Sequence, residues 1–171
     1  MRPTNEPATA EARFRVVFGH LGAVTRYARR RGSADPEAIA AETMTIAWRR
    51  LADVPRDDPR PWLFVTARNL LLAERRRSRA TAAASARTAV GPAPAAVGVE
   101  PRVLAALASL SPGDREALML VAFDDLTPAM AACVLGINPT AFRVRLYRAR
   151  RRFLAALDVA GRPSRTEMET A

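Results

Sequence analysis

The chain has 171 residues, a formal net charge of +10 and 49% hydrophobic residues, which is enough for one or two small domains. All 27 basic residues are arginine. The excess of positive charge favours a polyanionic partner, and nucleic acid is favoured over an anionic membrane. A single cysteine excludes a disulfide framework. The sequence has no signal-peptide core, and its longest apolar run, residues 117–123, is too short to span a bilayer, so we expect a cytoplasmic protein.

The N-terminal part predicts one amphipathic helix. Residues 1–10 hold two prolines and polar side chains, which indicates a loose arm. From Glu11 to about Arg30 apolar residues recur at helical spacing, and Gly32 ends the pattern. The expected buried stripe is Phe14, Val17, Phe18, Leu21, Val24 and Ala28. His20 has no Cys, His or paired acid near it in sequence, so we expect it neither to bind a ligand nor to act in catalysis.

A second helix is predicted to start at Asp35-Pro36, because an aspartate caps the first turn and proline fits at the first helical position. The expected buried side is Ile39, Thr43, Met44, Ala47, Trp48 and Leu51. Glu37 and Glu42 remain exposed, and in so basic a chain an acidic half-helix is a candidate docking face for a protein. The alternative is that these acids only complement the helix dipole, and the sequence does not separate the two.

The next segment predicts a stiff loop followed by a long helix. Residues 53–61 hold three prolines and three aspartates. The helix from Pro61 is nearly all apolar at first, so one face should pack on the earlier helices and another is free to stack against bases. Asn69 interrupts the apolar run; it either reads a base edge by two hydrogen bonds or is a hydrogen-bonded core asparagine. The arginines expected to follow a nucleic-acid backbone are Arg75, Arg76, Arg77 and Arg79.

The composition then changes and marks a domain boundary. Residues 80–99 mix Ala, Gly, Pro and small polar residues without periodicity, which predicts a flexible linker. Helical spacing returns at Pro101, and Ser111 to Asp114 resembles a capping box that starts another helix. The packing residues expected in that helix are Ala117, Leu118, Leu120 and Val121.

Residues 127–157 predict a helix-turn-helix. Thr127-Pro128 and Asn138-Pro139 are helix starts, and Gly136 supplies the positive φ that ends the first helix. We expect Cys133 to be a small buried residue of that first helix. The inward stripe expected on the second helix is Phe142, Leu146, Ala149, Phe153 and Leu157.

The outward face of the second helix is the most informative functional pattern. The N-terminal turns of a recognition helix enter the major groove, so the candidate base contacts are Thr140, Arg143, Val144 and Tyr147. The arginines further along are expected to meet phosphates: Arg148, Arg150, Arg151 and Arg152. The alternative is the solvated basic face of an ordinary bundle helix, but six arginines between Arg143 and Arg152 without an acid would repel one another there.

Taken together and in this order, these motifs resemble a bacterial sigma factor of the extracytoplasmic-function class, over residues 11–78 and 101–157. The segment DPEAIAAETMTIAWRRL is similar to the acidic helix of the family's region two, although Ala38, Ala41 and Met44 depart from the pattern. The resemblance implies that this helix docks on a coiled coil of the largest RNA polymerase subunit. The residues implied in polymerase binding are Asp35, Glu37, Glu42 and Trp48.

The other two segments are similar to the family's DNA-binding parts. PWLFVTARNLLLAERRR is similar to the strand-separation and minus-ten segment, and the resemblance implies that loop 53–61 holds a flipped base beside Asn69. The implied minus-ten contacts are Arg56, Trp62, Arg68, Asn69, Arg75 and Arg76. GINPTAFRVRLYRARRRF is similar to region four, with departures that imply an altered minus-thirty-five preference. The implied minus-thirty-five contacts are Asn138, Thr140, Arg143, Val144, Tyr147, Arg148 and Arg151.

The resemblance implies an all-α protein with two small helical domains, residues 11–79 and 101–157, joined by a flexible linker at 80–100. The implied function is a non-catalytic transcription initiation factor that binds core RNA polymerase and directs it to promoter DNA, with no cofactor or metal. Many relatives are controlled by an anti-sigma factor, so such a partner is a further expectation.

Three other functions are alternatives to this one. A helix-turn-helix regulator that does not engage polymerase accounts for residues 101–157 but leaves the acidic helix and Asn69 unused. An enzyme is disfavoured, because the sequence has no phosphate-cradling glycine loop, metal-ligand cluster or nucleophile–base set. A sigma-like decoy that only binds proteins stays open because of the departures at Ala38 and Ala41.

Overall fold

In the computed structural model, the described residues, 6–84 and 100–160, form eight α-helices and one short 3-10 helix, and they contain no strand. The chain divides into two compact units, Met1–Ala95 and Ala96–Ala171. The prediction of an all-α fold built from two helical parts is confirmed. Most of the predicted linker and of the C-terminal tail lies outside the described residues.

The first unit contains α1 (Glu6–Phe18), α2 (Leu21–Arg30), α3 (Pro36–Arg49), a 3-10 turn (Leu51–Asp53) and α4 (Arg60–Ala84). Helices α2 and α3 pack on each other and on α4, and α1 packs on α3. The Tyr27 ring stacks on the Phe64 ring with 4.7 Å between centroids. The core residues of the three central helices are Val24, Tyr27, Ala28, Ile39, Ala40, Met44, Ala47, Leu63, Phe64, Ala67 and Leu71.

The prediction of one continuous helix from Glu11 to Arg30 is wrong. The chain turns at Gly19 and His20, whose amides donate to the carbonyls of Arg15 at 3.1 Å and Val17 at 3.0 Å. Glycine is a weak helix former, and the turn lets α1 pack on α3 while α2 packs on α3 and α4. Phe18, expected in the buried stripe, is therefore 48% exposed.

Helix boundaries in this unit shift from those predicted. Helix α1 begins at Glu6, inside the predicted arm, and α4 continues to Ala84, inside the predicted linker. The start of α3 is as predicted, because the Asp35 side chain accepts a hydrogen bond from the Ala38 amide at 2.8 Å.

Trp48 was expected on the buried side of α3, and that expectation is wrong. The side chain is 47% exposed, whereas Ala47 is fully buried. Successive helix positions are separated by about 100°, so a helix that points Ala47 into the core turns Trp48 to its margin.

The second unit contains α5 (Pro101–Ser109), α6 (Pro112–Ala122), α7 (Pro128–Leu135) and α8 (Pro139–Ala160). Helices α5, α6 and α7 all pack on α8. The predicted helix-turn-helix signals are present: Thr127 Oγ1 accepts from the Met130 amide at 3.3 Å, and Gly136 has a φ of 64°. Of the predicted inward residues of α8, Phe142, Leu146 and Ala149 are buried.

The structure departs from two expectations in this unit, from one entirely and from the other in part. Cys133 is exposed, because Ala131, Ala132 and Val134 face the core and Cys133 lies on the opposite side of α7. The capping box at Ser111 forms only in part: the Ser111 hydroxyl accepts from the Asp114 amide at 3.2 Å, but the Asp114 carboxylate pairs with Arg152 of α8.

Candidate nucleic-acid and protein interfaces

The outward face of α8 presents every residue predicted to contact the minus-thirty-five duplex. All seven side chains are exposed: Asn138, Thr140, Arg143, Val144, Tyr147, Arg148 and Arg151. The buried residues of α8 hold the opposite face against α5, α6 and α7. Asn138 also starts the helix, since its Oδ1 accepts from the Thr140 amide at 2.8 Å.

Apolar and cationic groups alternate along this face. Val144 is 45% exposed and Tyr147 is 62% exposed. The Arg151 guanidinium carbon lies 6.0 Å from the centroid of the Tyr147 ring. A methyl-bearing side chain between arginines suits a base pair that offers a thymine methyl group beside acceptor atoms.

Two arginines of α8 face α6 instead of this outward surface. Arg152 Nη1 donates to Asp114 Oδ2 at 2.5 Å. The Arg145 guanidinium lies against Gly113, with Nη1 3.6 Å from the position a Cβ would take there. Arg152 was predicted to meet a phosphate, and the structure instead joins it to the first turn of α6.

The predicted minus-ten residues lie along α4 and the loop before it. Asn69 is exposed, so the alternative of a core asparagine is excluded. Arg56, Arg75 and Arg76 are also exposed, whereas Arg68 is half-buried. Trp62 is half-buried as well, with the Arg50 guanidinium carbon 6.0 Å from its ring centroid.

Asp58 holds the start of α4, a role that the sequence analysis missed. Its Oδ1 accepts from the Arg60 amide at 3.0 Å, and its Oδ2 accepts from the Arg60 guanidinium at 2.7 Å. The Arg60 hydrogen bond lowers the pKa of Asp58 below its ordinary value, against the effect of burial. The signal in the sequence was an aspartate two residues before the helix.

The arginine-rich end of α4 is tied to the turn between α2 and α3. The Glu74 carboxylate accepts from the Ser33 hydroxyl at 3.0 Å and from the Ala34 amide at 3.1 Å. Arg75 Nη2 donates to the Arg31 carbonyl at 2.6 Å. These bonds anchor the α4 turn that leads into Arg76, and no local sequence pattern indicated them.

The predicted docking residues of α3 are all exposed, but two of them have partners within the unit. Asp35 caps the helix. Glu37 forms an ion pair with Arg29, with 2.5 Å between oxygen and nitrogen. Glu42 and Trp48 lie further along the exposed side of the same helix.

Among residues 6–84 and 100–160, no cluster of three or more His, Cys, Asp or Glu side chains is placed to hold a metal ion. In the same part of the chain, every helix is too short or too polar to cross a membrane.

Comparison with known proteins finds a family match for the second unit and similar structures for most of the chain. Residues 101–153 match the family described as Sigma-70, region 4. The solved structure of CnrH in complex with the cytosolic domain of CnrY is similar at a TM-score of 0.63 and 29% identity, over 89% of this chain and 94% of that one. A comparison with curated proteins finds no significant match.

Two further solved structures are similar in fold. The sigma factor RpoE of Bartonella quintana, in complex with the anti-sigma factor NepR, has a TM-score of 0.70 and 22% identity, over 85% of this chain and 96% of that one. The PhyRSL–NepR complex of Sphingomonas sp. Fr1 has a TM-score of 0.60 and 25% identity, over 86% of this chain and 92% of that one.

The region-four match, together with a fold shared with these structures over most of the chain, decides the identification. Residues 101–153 match region 4 of the sigma-70 family, and the chain has the fold of a sigma factor of the extracytoplasmic-function class. This sigma factor is a transcription initiation factor that binds core RNA polymerase and directs it to promoters. A helix-turn-helix regulator that does not engage polymerase is disfavoured, because it accounts for the second unit alone.

Proposed function

We propose that the sigma factor divides promoter recognition among three surfaces. The exposed side of α3 docks on core polymerase, α4 with loop 53–61 holds the melted minus-ten strand, and the outward face of α8 reads the minus-thirty-five duplex. The observation that carries this division is the separation of charge: acids cluster on α3, and arginines cover α8 and the second half of α4.

On the α8 surface, position along the helix separates the roles. Thr140, Arg143, Val144 and Tyr147 lie on the first turns and contact base edges. Arg148 and Arg151 lie further along and contact phosphates. Asn138, at the start of α8, contacts the DNA backbone beside the same groove.

On the α4 surface, Asn69 contacts an unpaired base, since it is exposed and carries both a donor and an acceptor. Arg56, Arg68, Arg75 and Arg76 follow the strand backbone. Trp62 is half-buried, so it supports the loop that receives the base.

A protein inhibitor is the second partner that we propose. The solved structure of the sigma factor RpoE is described as a complex with the anti-sigma factor NepR. By analogy, an anti-sigma factor holds this chain away from polymerase until a signal releases it.

The test is run-off transcription on genomic fragments with core polymerase, with and without the sigma factor. We expect new start sites in its presence and a shared pair of promoter elements upstream of them. Glu42→Ala should weaken core polymerase binding, whereas the control Glu100→Ala, which removes an exposed acid of the other unit, should not. Unchanged start sites would reject the proposal.

A further inference from the structure

A shallow cleft of about 500 Å³ opens on the surface between α1 and α3. Its lining residues are Glu11, Phe14, Arg15, Phe18 and Trp48, and we name it the aromatic cleft. The Phe14 ring lies edge-on to the Trp48 ring, with 4.9 Å between centroids, and 5.9 Å from the Phe18 ring. Phe18 and Trp48 are each about half exposed.

The aromatic cleft is not explained by folding of the unit. Buried residues already fill the core side of α3, among them Met44 and Ala47. Three of the ten aromatic residues of the chain nevertheless meet on this one open surface. A cluster of exposed rings with a polar rim, here Glu11 and Arg15, is typical of a surface that another molecule covers.

Position and charge indicate what covers it. Glu37, Ala41, Thr45 and Trp48 are all exposed and recur at helical spacing, so they form one stripe along α3. The stripe ends in the cleft, about 16 Å along the helix from Glu37 at a rise of about 1.5 Å per residue. Glu37 is shared with Arg29, and Glu42 adds a second exposed carboxylate, so this face suits a protein that presents basic groups better than it suits nucleic acid.

We infer that the aromatic cleft is the apolar half of the polymerase-docking surface, and that it receives a large apolar side chain of the core polymerase segment lying along α3. This inference rests on the proposed function, which assigns the face of α3 to polymerase. The bound segment presents a basic side chain near Glu37 and an apolar one about 16 Å further along α3.

The composition of α3 supports this division of roles. Ala38 and Ala41 stand where the resembled pattern has polar residues, so these two positions offer no hydrogen bonds from side chains. Aromatic side chains in a partly enclosed pocket are the residues that dominate the affinity of protein interfaces. The cleft therefore supplies affinity that the alanine positions cannot.

The experiment compares core polymerase affinity for the full chain and for Phe18→Ala, Trp48→Ala and the double variant. We expect each single change to weaken binding about tenfold or more. Val16→Ala is the matched control, because Val16 is an exposed apolar residue of the same helix but does not line the cleft. Phe18→Leu keeps an apolar side chain and should restore most of the affinity.

Circular dichroism and thermal unfolding establish that each variant is folded. Phe18 and Trp48 are both about half exposed, so neither change removes a side chain from the core. Equal affinity of wild type and folded variants for polymerase would overturn the inference while leaving the proposed function intact. Failure of the wild type to bind would overturn both. If light scattering shows that the wild type is a dimer and that Phe18→Ala is a monomer, the cleft binds a second copy of the chain. If Phe18→Ala crosslinks to single-stranded DNA more weakly than the wild type does, the cleft binds bases. Either result overturns the inference.

Discussion

Single side chains of α8 fall into groups according to what they touch. Phe142 and Leu146 pack into the core of the second unit. Arg152 pairs with Asp114, and Arg143 and Tyr147 face solvent. Charge alone therefore does not identify a DNA contact, because neighbouring arginines of one run face different surroundings.

Arg143→Ala should reduce promoter affinity by about 1–3 kcal/mol at one base position, because a bidentate arginine–guanine contact is lost. Binding assays with a panel of single-base substitutions in the minus-thirty-five element would locate that position. Arg151→Ala is the control. It should weaken binding to all sequences alike and reduce by about one unit the salt slope, which is the slope of log affinity against log salt concentration. A uniform loss with Arg143→Ala would make it a phosphate contact.

Asp58→Ala should destabilise the first unit by about 1 kcal/mol at neutral pH, because α4 loses the carboxylate at its start. The pKa of Asp58 is lowered in the folded protein, so its stabilisation is complete above the ordinary value of 3.8 and is lost as pH falls through the lower native pKa. Urea unfolding at pH 7 and under strongly acidic conditions measures both effects. A difference between the proteins that persists undiminished in acid would contradict this account.

Among the elements, α6 and α8 are joined by more than apolar packing. The Asp114 side chain is largely buried. It forms an ion pair with Arg152, which lies two turns of α8 beyond the outward-facing Arg143. Arg145 also contacts the first turn of α6 at Gly113. These contacts add to the buried stripe of Phe142, Leu146 and Ala149, which fixes the rotation of α8 about its axis and so which side chains face outward.

Arg152→Ala should lower the free energy of unfolding of the second unit and leave the salt slope of DNA binding near that of the wild type. Arg152 is well exposed, so the coupling to Asp114 in a double-mutant cycle should be modest, about 0.5–1 kcal/mol. Arg151→Ala provides the contrast, with a lower salt slope and little loss of stability. A salt slope reduced equally by both changes would assign Arg152 to a phosphate.

The three proposed binding surfaces lie on two compact units of one chain. A small unit that contacts only a few base pairs binds weakly by itself. Joining two such units, and holding both on one polymerase, turns the second contact into an intramolecular step with a high effective concentration. Selectivity for a promoter then depends on both elements being present together.

Cleavage of the chain between residues 84 and 100, at an inserted protease site, should reduce promoter-specific transcription at limiting factor concentration by about a hundredfold or more. The same protein carrying the uncut site is the control. Run-off transcription before and after cleavage measures the change. Full activity of the cleaved protein would show that the covalent connection contributes nothing to selectivity.

Local signals in the sequence determined several features of this fold. The starts of α3 and α7 were predictable because Asp35 and Thr127 bond to amides within three residues of themselves. The inward residues of α8, such as Phe142, were predictable because helical spacing alone places them on one side. The outward-facing residues of α8 were predictable from the same helical spacing.

Other features were decided only by tertiary structure, because they depend on contacts between residues far apart in the chain. The turn at Gly19, the exposure of Trp48 and the pairing of Asp114 with Arg152 all depend on which helices pack together. The sequence by itself determined the starts of α3 and α7, the two faces of α8 and the resemblance to sigma factors, since those depend on near neighbours and residue order. The aromatic cleft, the anchor at Glu74 and the surroundings of each arginine required the folded chain, because packing between helices sets the distance between side chains.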